Sequence, residues 1–183
     1  MLGMVFTEFV DLVEARFGIE VLDRVIEEAA LGHEAAYTAV GYYPFAELQQ
    51  LLLSLCRETG AEPGVLLQSF GRHLFARLQA GHPQFFSDPG LDLFSLLERL
   101  DGVVHVEVRK LYANARLPSF TCTRIDDEHL QLDYVSERGL ADLAAGLIDG
   151  AALHFGEQVR VARGDTLVGG VQCVRFLLAR VLH

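Results

Sequence analysis

Apolar residues recur with a helical period through the first half of the chain. Val5, Phe6, Phe9, Val10, Leu12 and Val13 share one helix face, and Ile19, Leu22, Ile26 and Ala29 continue the pattern to the breaker Gly32. PFAELQQLLLSLCRETG begins with a proline suited to a first helical turn and ends with a glycine suited to a C-cap. EPGVLLQSFGRHLFARLQAG predicts a further helix with Gly71 inside it. An interior glycine costs about 1 kcal/mol against alanine. Its presence points to close approach by something flat or bulky. DPGLDLFSLLERL opens another helix. From Pro118 the period falls to two. SFTCTRI, DDEH and LQLDYVS predict a β-hairpin, GLADLAAGLIDGAALHFG an amphipathic helix, and EQVRVARGDTLVGGVQCVRFLLARVL two strands around a Gly-rich loop. Helices followed by a ββαββ run predict an α+β domain. DGVVHVEVRKLY fits two patterns. Its alternating valines favour a strand, while Leu97, Leu100, Val104, Val108 and Leu111 fall on one face of a helix continuing from FSLLERL.

Composition narrows the function classes. The 183 residues are 51% hydrophobic, about one domain's worth, with room for a sizeable ligand in the core. A formal net charge of -10 speaks against nucleic acid and against an anionic membrane surface, and could steer a basic protein partner. The three cysteines, Cys56, Cys122 and Cys173, form no CxxC pair, so reduced thiols in a cytoplasmic protein are expected. The first residues carry Glu8, Asp11 and Glu14 and no basic cluster, unlike a signal peptide. No apolar run approaches membrane-spanning length. No GxSxG, HExxH, P-loop or dinucleotide fingerprint occurs, and the expectation is that the chain is not an enzyme.

Two features carry candidate chemistry. In DYVSERG, the residues Tyr134, Ser136 and Arg138 alternate. On a strand they would share one face and offer two hydroxyls and a guanidinium fork to an anion. The plain alternative is the solvent face of an ordinary strand. His105 sits among Val103, Val104, Val106 and Val108, with few polar neighbours in sequence. A buried neutral imidazole is a good axial ligand for haem iron. Pro118, in LPSF, follows thirteen residues later.

His105, Pro118 and the Tyr134-x-Ser136-x-Arg138 triplet, in that order, resemble the H-NOX family, the haem–nitric oxide/oxygen binding (HNOB) domains, in their stand-alone bacterial form. MLGMVFTEFV, FGRHLF and GLIDGAALHF also look like family segments, so the resemblance covers essentially the whole chain. It implies one domain over residues 1–183, with a distal helical subdomain over about 1–62 and a proximal subdomain over about 63–183. The proximal part would hold a four-stranded antiparallel sheet, with the haem buried between the two. It implies one haem b per chain, with His105 as proximal iron ligand. Pro118 would distort the porphyrin, and Tyr134, Ser136 and Arg138 would grip the propionates. Because the family carries its proximal histidine on a helix, residues 90–112 are expected to be mainly helical.

The resemblance also implies a distal pocket of Val5, Phe9, Leu74, Phe75, Leu143 and Leu147. Leu143 stands where oxygen-holding members have a hydrogen-bonding tyrosine, and Leu74 stands at the companion polar position. The ligands expected are nitric oxide and also CO, with weak or no O2 binding. Entry of Tyr37, Tyr42 or Tyr43 into the pocket stays open. The partner expected is a separate histidine kinase or cyclic-di-GMP enzyme, a diguanylate cyclase or phosphodiesterase. Of the cysteine–histidine zinc site that some members carry near the C-terminus, only Cys173 remains as a candidate, so no zinc is expected. The alternative is a haem-free small-molecule-binding or adaptor module of related fold.

Overall fold

Seven α-helices and four β-strands lie within residues 1–33 and 35–181, which the computed structural model describes. They are α1 (Gly3–Phe17), α2 (Ile19–Ala29), α3 (Phe45–Thr59), α4 (Pro63–Gly81), α5 (Leu93–Glu98), α6 (His105–Leu111), β1 (Ser119–Arg124), β2 (His129–Val135), α7 (Ala141–Phe155), β3 (Val159–Val168) and β4 (Val171–Arg180). The class is α+β, as the change of period predicts. Contacts divide the chain into two units, Met1–Arg77 with Asp142–Leu147, and Leu78–Ala141 with Ile148–His183. Among the described residues, no helix is long and apolar enough to cross a membrane.

The first unit is a helical assembly around Phe6, Phe9, Val13, Leu51, Leu55 and Phe70, all buried. The rings of Phe9 and Phe70 meet edge to face at 5.3 Å, joining α1 to α4. Glu8 is the charged residue in this interior. Its carboxylate accepts the Arg77 Nε–H at 3.0 and 3.1 Å and lies 2.9 Å from His73 Nε2, so the buried charge is compensated. Gly71 has a specific reason to lack a side chain. A Cβ there would lie 2.7 Å from the backbone of Gly146 on α7 and would also strike Leu143 O. A Cβ on Gly146 would lie 2.8 Å from the Gln68 backbone. Two glycines thus let α4 and the Asp142–Leu147 stretch of α7 touch backbone to backbone. The close neighbour predicted at Gly71 is another helix.

The second unit is built on a four-stranded sheet in the order β1-β2-β4-β3, antiparallel throughout. The β1–β2 turn is set by Asp126, whose Oδ1 accepts the N–H groups of Glu128 and His129 at 2.8 and 2.7 Å. Gly169 and Gly170, at φ 57° and 82°, make the two-residue turn between β3 and β4. Leu130, Leu132, Phe176 and Leu178 give the sheet its buried face. Asp92 caps α5, accepting the Ser95 N–H at 2.8 Å, and pairs with Arg180 at 2.6 Å. Burial raises the Asp92 pKa, but the Ser95 and Arg180 hydrogen bonds win and hold it at about 2. Arg180 also stands 4.2 Å over the ring of Phe94.

The segment with two patterns is helical. α5 is followed by a π-helical turn, Leu100–Val104, and then by α6. The N–H groups of Val103 and Val104 both reach Arg99 O, at 2.9 and 3.2 Å. Val103 and Val106 are exposed, so the valine alternation marks no sheet face. β-propensity gives way here to local helical bonding.

Candidate functional site

His105 is the first residue of α6, directly after the π turn. Its side chain is 12% exposed. Nδ1 lies 2.7 Å from Asp101 Oδ1, one turn earlier. The other Asp101 oxygen accepts the Phe120 N–H at 2.9 Å and the Ser119 hydroxyl at 3.2 Å. A carboxylate only accepts, so Nδ1 carries the ring proton and Nε2 keeps its lone pair. Burial pushes the His105 pKa down, and the charge of Arg109 adds to this. The hydrogen bond and charge of Asp101 oppose it without winning. The ring is therefore a neutral, oriented imidazole, which is the form that ligates metal. Its centroid is 5.7 Å from that of Phe120, and Phe120 is 5.3 Å from Tyr134, its cross-strand partner.

The expectation of few polar neighbours around His105 is corrected. Asp101 is a direct partner, and the sequence reading does not single it out. The signal was the four-residue spacing of Asp101 and His105, which places them together only if the segment is helical.

The strand expected through DYVSERG ends at Val135, opposite Ser119, the first residue of β1. Only Tyr134 of the triplet is in the ladder. Ser136 and Arg138 lie in the turn beyond, which Gly139 closes at φ 62°. The shared strand face is thus corrected to a strand end and its turn. The ladder stops because β1 offers no partner past Ser119. The turn nonetheless gathers the three groups. Ser136 Oγ accepts the Arg138 N–H at 3.2 Å, and Arg138 Nη1 donates to Arg116 O at 2.6 Å. Tyr134 is 4% exposed. Burial raises its pKa, against hydrogen bonds from Ser136 and the Leu140 backbone and the charge of Arg138. The phenol therefore stays protonated, a donor at neutral pH. Pro118 is half-buried immediately before β1, adjoining the two residues that Asp101 holds.

The remaining candidates belong to the first unit. Phe9 on α1, Leu74 and Phe75 on α4 and Leu143 on α7 are buried, while Val5 and Leu147 are half-buried. Tyr37 donates to Glu47 Oε2 at 3.1 Å, and the Tyr43 hydroxyl accepts the Thr38 N–H at 2.9 Å. Both hydroxyls are thus engaged within the Phe6–Tyr37–Tyr43 cluster, and Tyr42 is exposed. Among the described residues, no three His, Cys, Asp or Glu side chains are grouped to hold a metal ion on their own.

The pattern of the family described as Haem-NO-binding (HNOB) matches residues 2–163. An unliganded Fe(II) H-NOX protein from K. algicida shares 31% identity and a TM-score of 0.91, over 100% of this chain and 98% of that one. An H-NOX protein from S. oneidensis, solved in its Fe(II)NO state, shares 27% identity and a TM-score of 0.88, over 100% of both chains. Soluble guanylate cyclase 89Db of Drosophila melanogaster is 24% identical over 158 residues, which are 85% of this chain and 23% of that protein. The chain thus spans about a quarter of the length of that curated relative. The chain belongs to the Haem-NO-binding, or H-NOX, family of haem-based gas-sensor domains.

Proposed function

We propose that the chain binds one haem b through His105 Nε2, senses nitric oxide and passes the signal to a separate protein, a histidine kinase or a cyclic-di-GMP enzyme. The observation that carries this reading is the His105–Asp101–Phe120 arrangement, a neutral imidazole held by a carboxylate with Nε2 left for a metal. The donors suit haem. Imidazole is a haem-iron ligand, and a carboxylate behind it raises its basicity. Tyr134 and Ser136 bring two hydroxyls and Arg138 a guanidinium, matched to two propionates. Each charge-assisted bond contributes about 1.5–3 kcal/mol. Bound haem supplies the ferrous iron at which a diatomic gas ligates.

The chain's own part in signalling follows from Asp101. One carboxylate oxygen orients His105, and the other holds the start of β1 beside Pro118. When His105 is released from the iron, its movement is transmitted through Asp101 to the strand that follows Pro118. The π turn before His105 favours this, because such turns repack between helical forms and recur at functional sites. Signalling then needs the two shapes to differ in affinity for the partner. Leu143 and Leu74 have no hydrogen-bond donor. The loss of one bond, about 1–3 kcal/mol, lowers oxygen affinity roughly 10- to 100-fold. Nitric oxide depends less on a donor.

The test is an absorption spectrum of the purified, reduced protein, taken anaerobically, in air and with nitric oxide. A haem Soret band that ignores air and shifts with nitric oxide is expected. A change in air overturns the selectivity, and a protein that stays colourless after haem reconstitution returns the chain to a haem-free binding module. Asp101→Asn is expected to speed haem loss to a scavenger by about 10- to 100-fold, the range for a residue behind a metal ligand. An unchanged rate would remove Asp101 from the mechanism.

A further inference from the structure

We propose that β3 is a self-association edge through which two copies of this chain pair antiparallel about a two-fold axis at Gly164. β3 ends the sheet order, so one side of it has no neighbouring strand. Its ten residues run one for one against β4, from Val159↔Arg180 to Val168↔Val171. Edges of this kind are normally blunted by a bulge, a proline or a lysine. The stretch VRVARGDTLV has none of these. Leu167 is 71% exposed, and Val168 and Val171 beside it are exposed as well.

Parity and charge select the register. The two-residue Gly169–Gly170 turn closes on a hydrogen-bonded pair, Val168↔Val171. Alternation then turns the N–H and C=O groups of Val159, Val161, Arg163, Asp165 and Leu167 away from β4. A second copy centred on Gly164 meets these groups with its own. Arg163 then faces Asp165 of the second copy, and Val161 faces its Leu167, each pairing occurring twice. A centre at Arg163 sets that residue against itself, and a centre at Asp165 does the same for the acid. Centres one step farther out oppose a charge to an apolar residue, Arg163 to Val161 or Asp165 to Leu167. Only the Gly164 register joins opposite charges and apolar side chains together, which is the cross-strand pairing that stabilises sheets. Gly164 leaves room at the axis, since a Cβ there meets nothing within 4 Å. The net charge of -10 opposes association and the contact is narrow, so the dimer is reversible and grows with concentration.

Sedimentation velocity of the full chain over rising concentration tests this, with circular dichroism to verify folding of each variant. The unaltered chain is expected to dimerise. Arg163→Glu and Asp165→Arg each turn two attractions into two repulsions and are expected to weaken the dimer about tenfold. The double reversal restores complementarity and is expected to restore the dimer. Gly164→Cys, treated with oxidised glutathione, is expected to give a covalent dimer whose cross-link mass spectrometry maps to position 164 in both copies. A chain that stays monomeric at its highest soluble concentration overturns the proposal. So does a dimer indifferent to both charge reversals, or a cross-link that fails to form in Gly164→Cys.

Discussion

Replacing His105 with glycine is expected to leave a folded protein that no longer keeps haem. The side chain is 12% exposed and lies at the start of α6, where its ring packs near Phe120 and hydrogen-bonds Asp101. No described hydrogen bond of the sheet depends on it, so secondary structure should survive by circular dichroism. Affinity is expected to fall by more than the roughly 10- to 100-fold assigned to residues behind a ligand, because the metal bond itself is lost. The Tyr134, Ser136 and Arg138 donors remain in His105→Gly. Residual haem should therefore bind weakly and titrate out with a scavenger. Free imidazole should restore the Soret band, since Asp101 still offers an acceptor to orient an added ring. A variant that keeps the parent spectrum without imidazole would show that another residue holds the iron.

Much of the fold follows from periodicity and punctuation. Gly60 ends α3, Asp92 precedes α5, and the Gly169–Gly170 pair joins β3 to β4 at the places where the chain signals a break. DGVVHVEVRKLY was not legible from propensity. Its valines mimic a strand, and only the family resemblance favours the helix that the structure has. The cost of that ambiguity is Asp101, because an aspartate four residues before a histidine is a neighbour on a helix and a stranger on a strand. Tyr134-x-Ser136-x-Arg138 was legible as a cluster of donors. Its shape was not, because the point where β2 loses its partner depends on where β1 begins. Gly71 signalled close packing. Its partner Gly146 lies seventy-five residues away, a pairing that periodicity within one helix cannot reveal.

The Gly71–Gly146 crossing carries the second large expected effect. Gly146→Ala is expected to destabilise the holo-protein by about 3 kcal/mol, at the upper end of overpacking costs. The added methyl meets the Gln68 backbone, and backbone within a helix cannot rotate aside as a flexible side chain can. For a chain of this size, 3 kcal/mol lowers Tm by about 6–12 °C. Gly81→Ala, at the end of the same α4, meets nothing within 4 Å and is expected to change stability by less than about 1 kcal/mol. Gly71→Ala wedges the same crossing from the other side. Once either methyl has parted the helices the second costs less, so the double variant should be milder than the sum of the singles. The wedge also reaches the site, because Leu143 lies one turn before Gly146 and its carbonyl faces Gly71. Gas affinity should therefore shift in Gly146→Ala although no distal side chain has changed. Thermal unfolding followed by circular dichroism reads the first effect, and carbon monoxide titration of the reduced protein reads the second. A Gly146→Ala protein as stable as Gly81→Ala would mean that the two helices do not touch backbone to backbone.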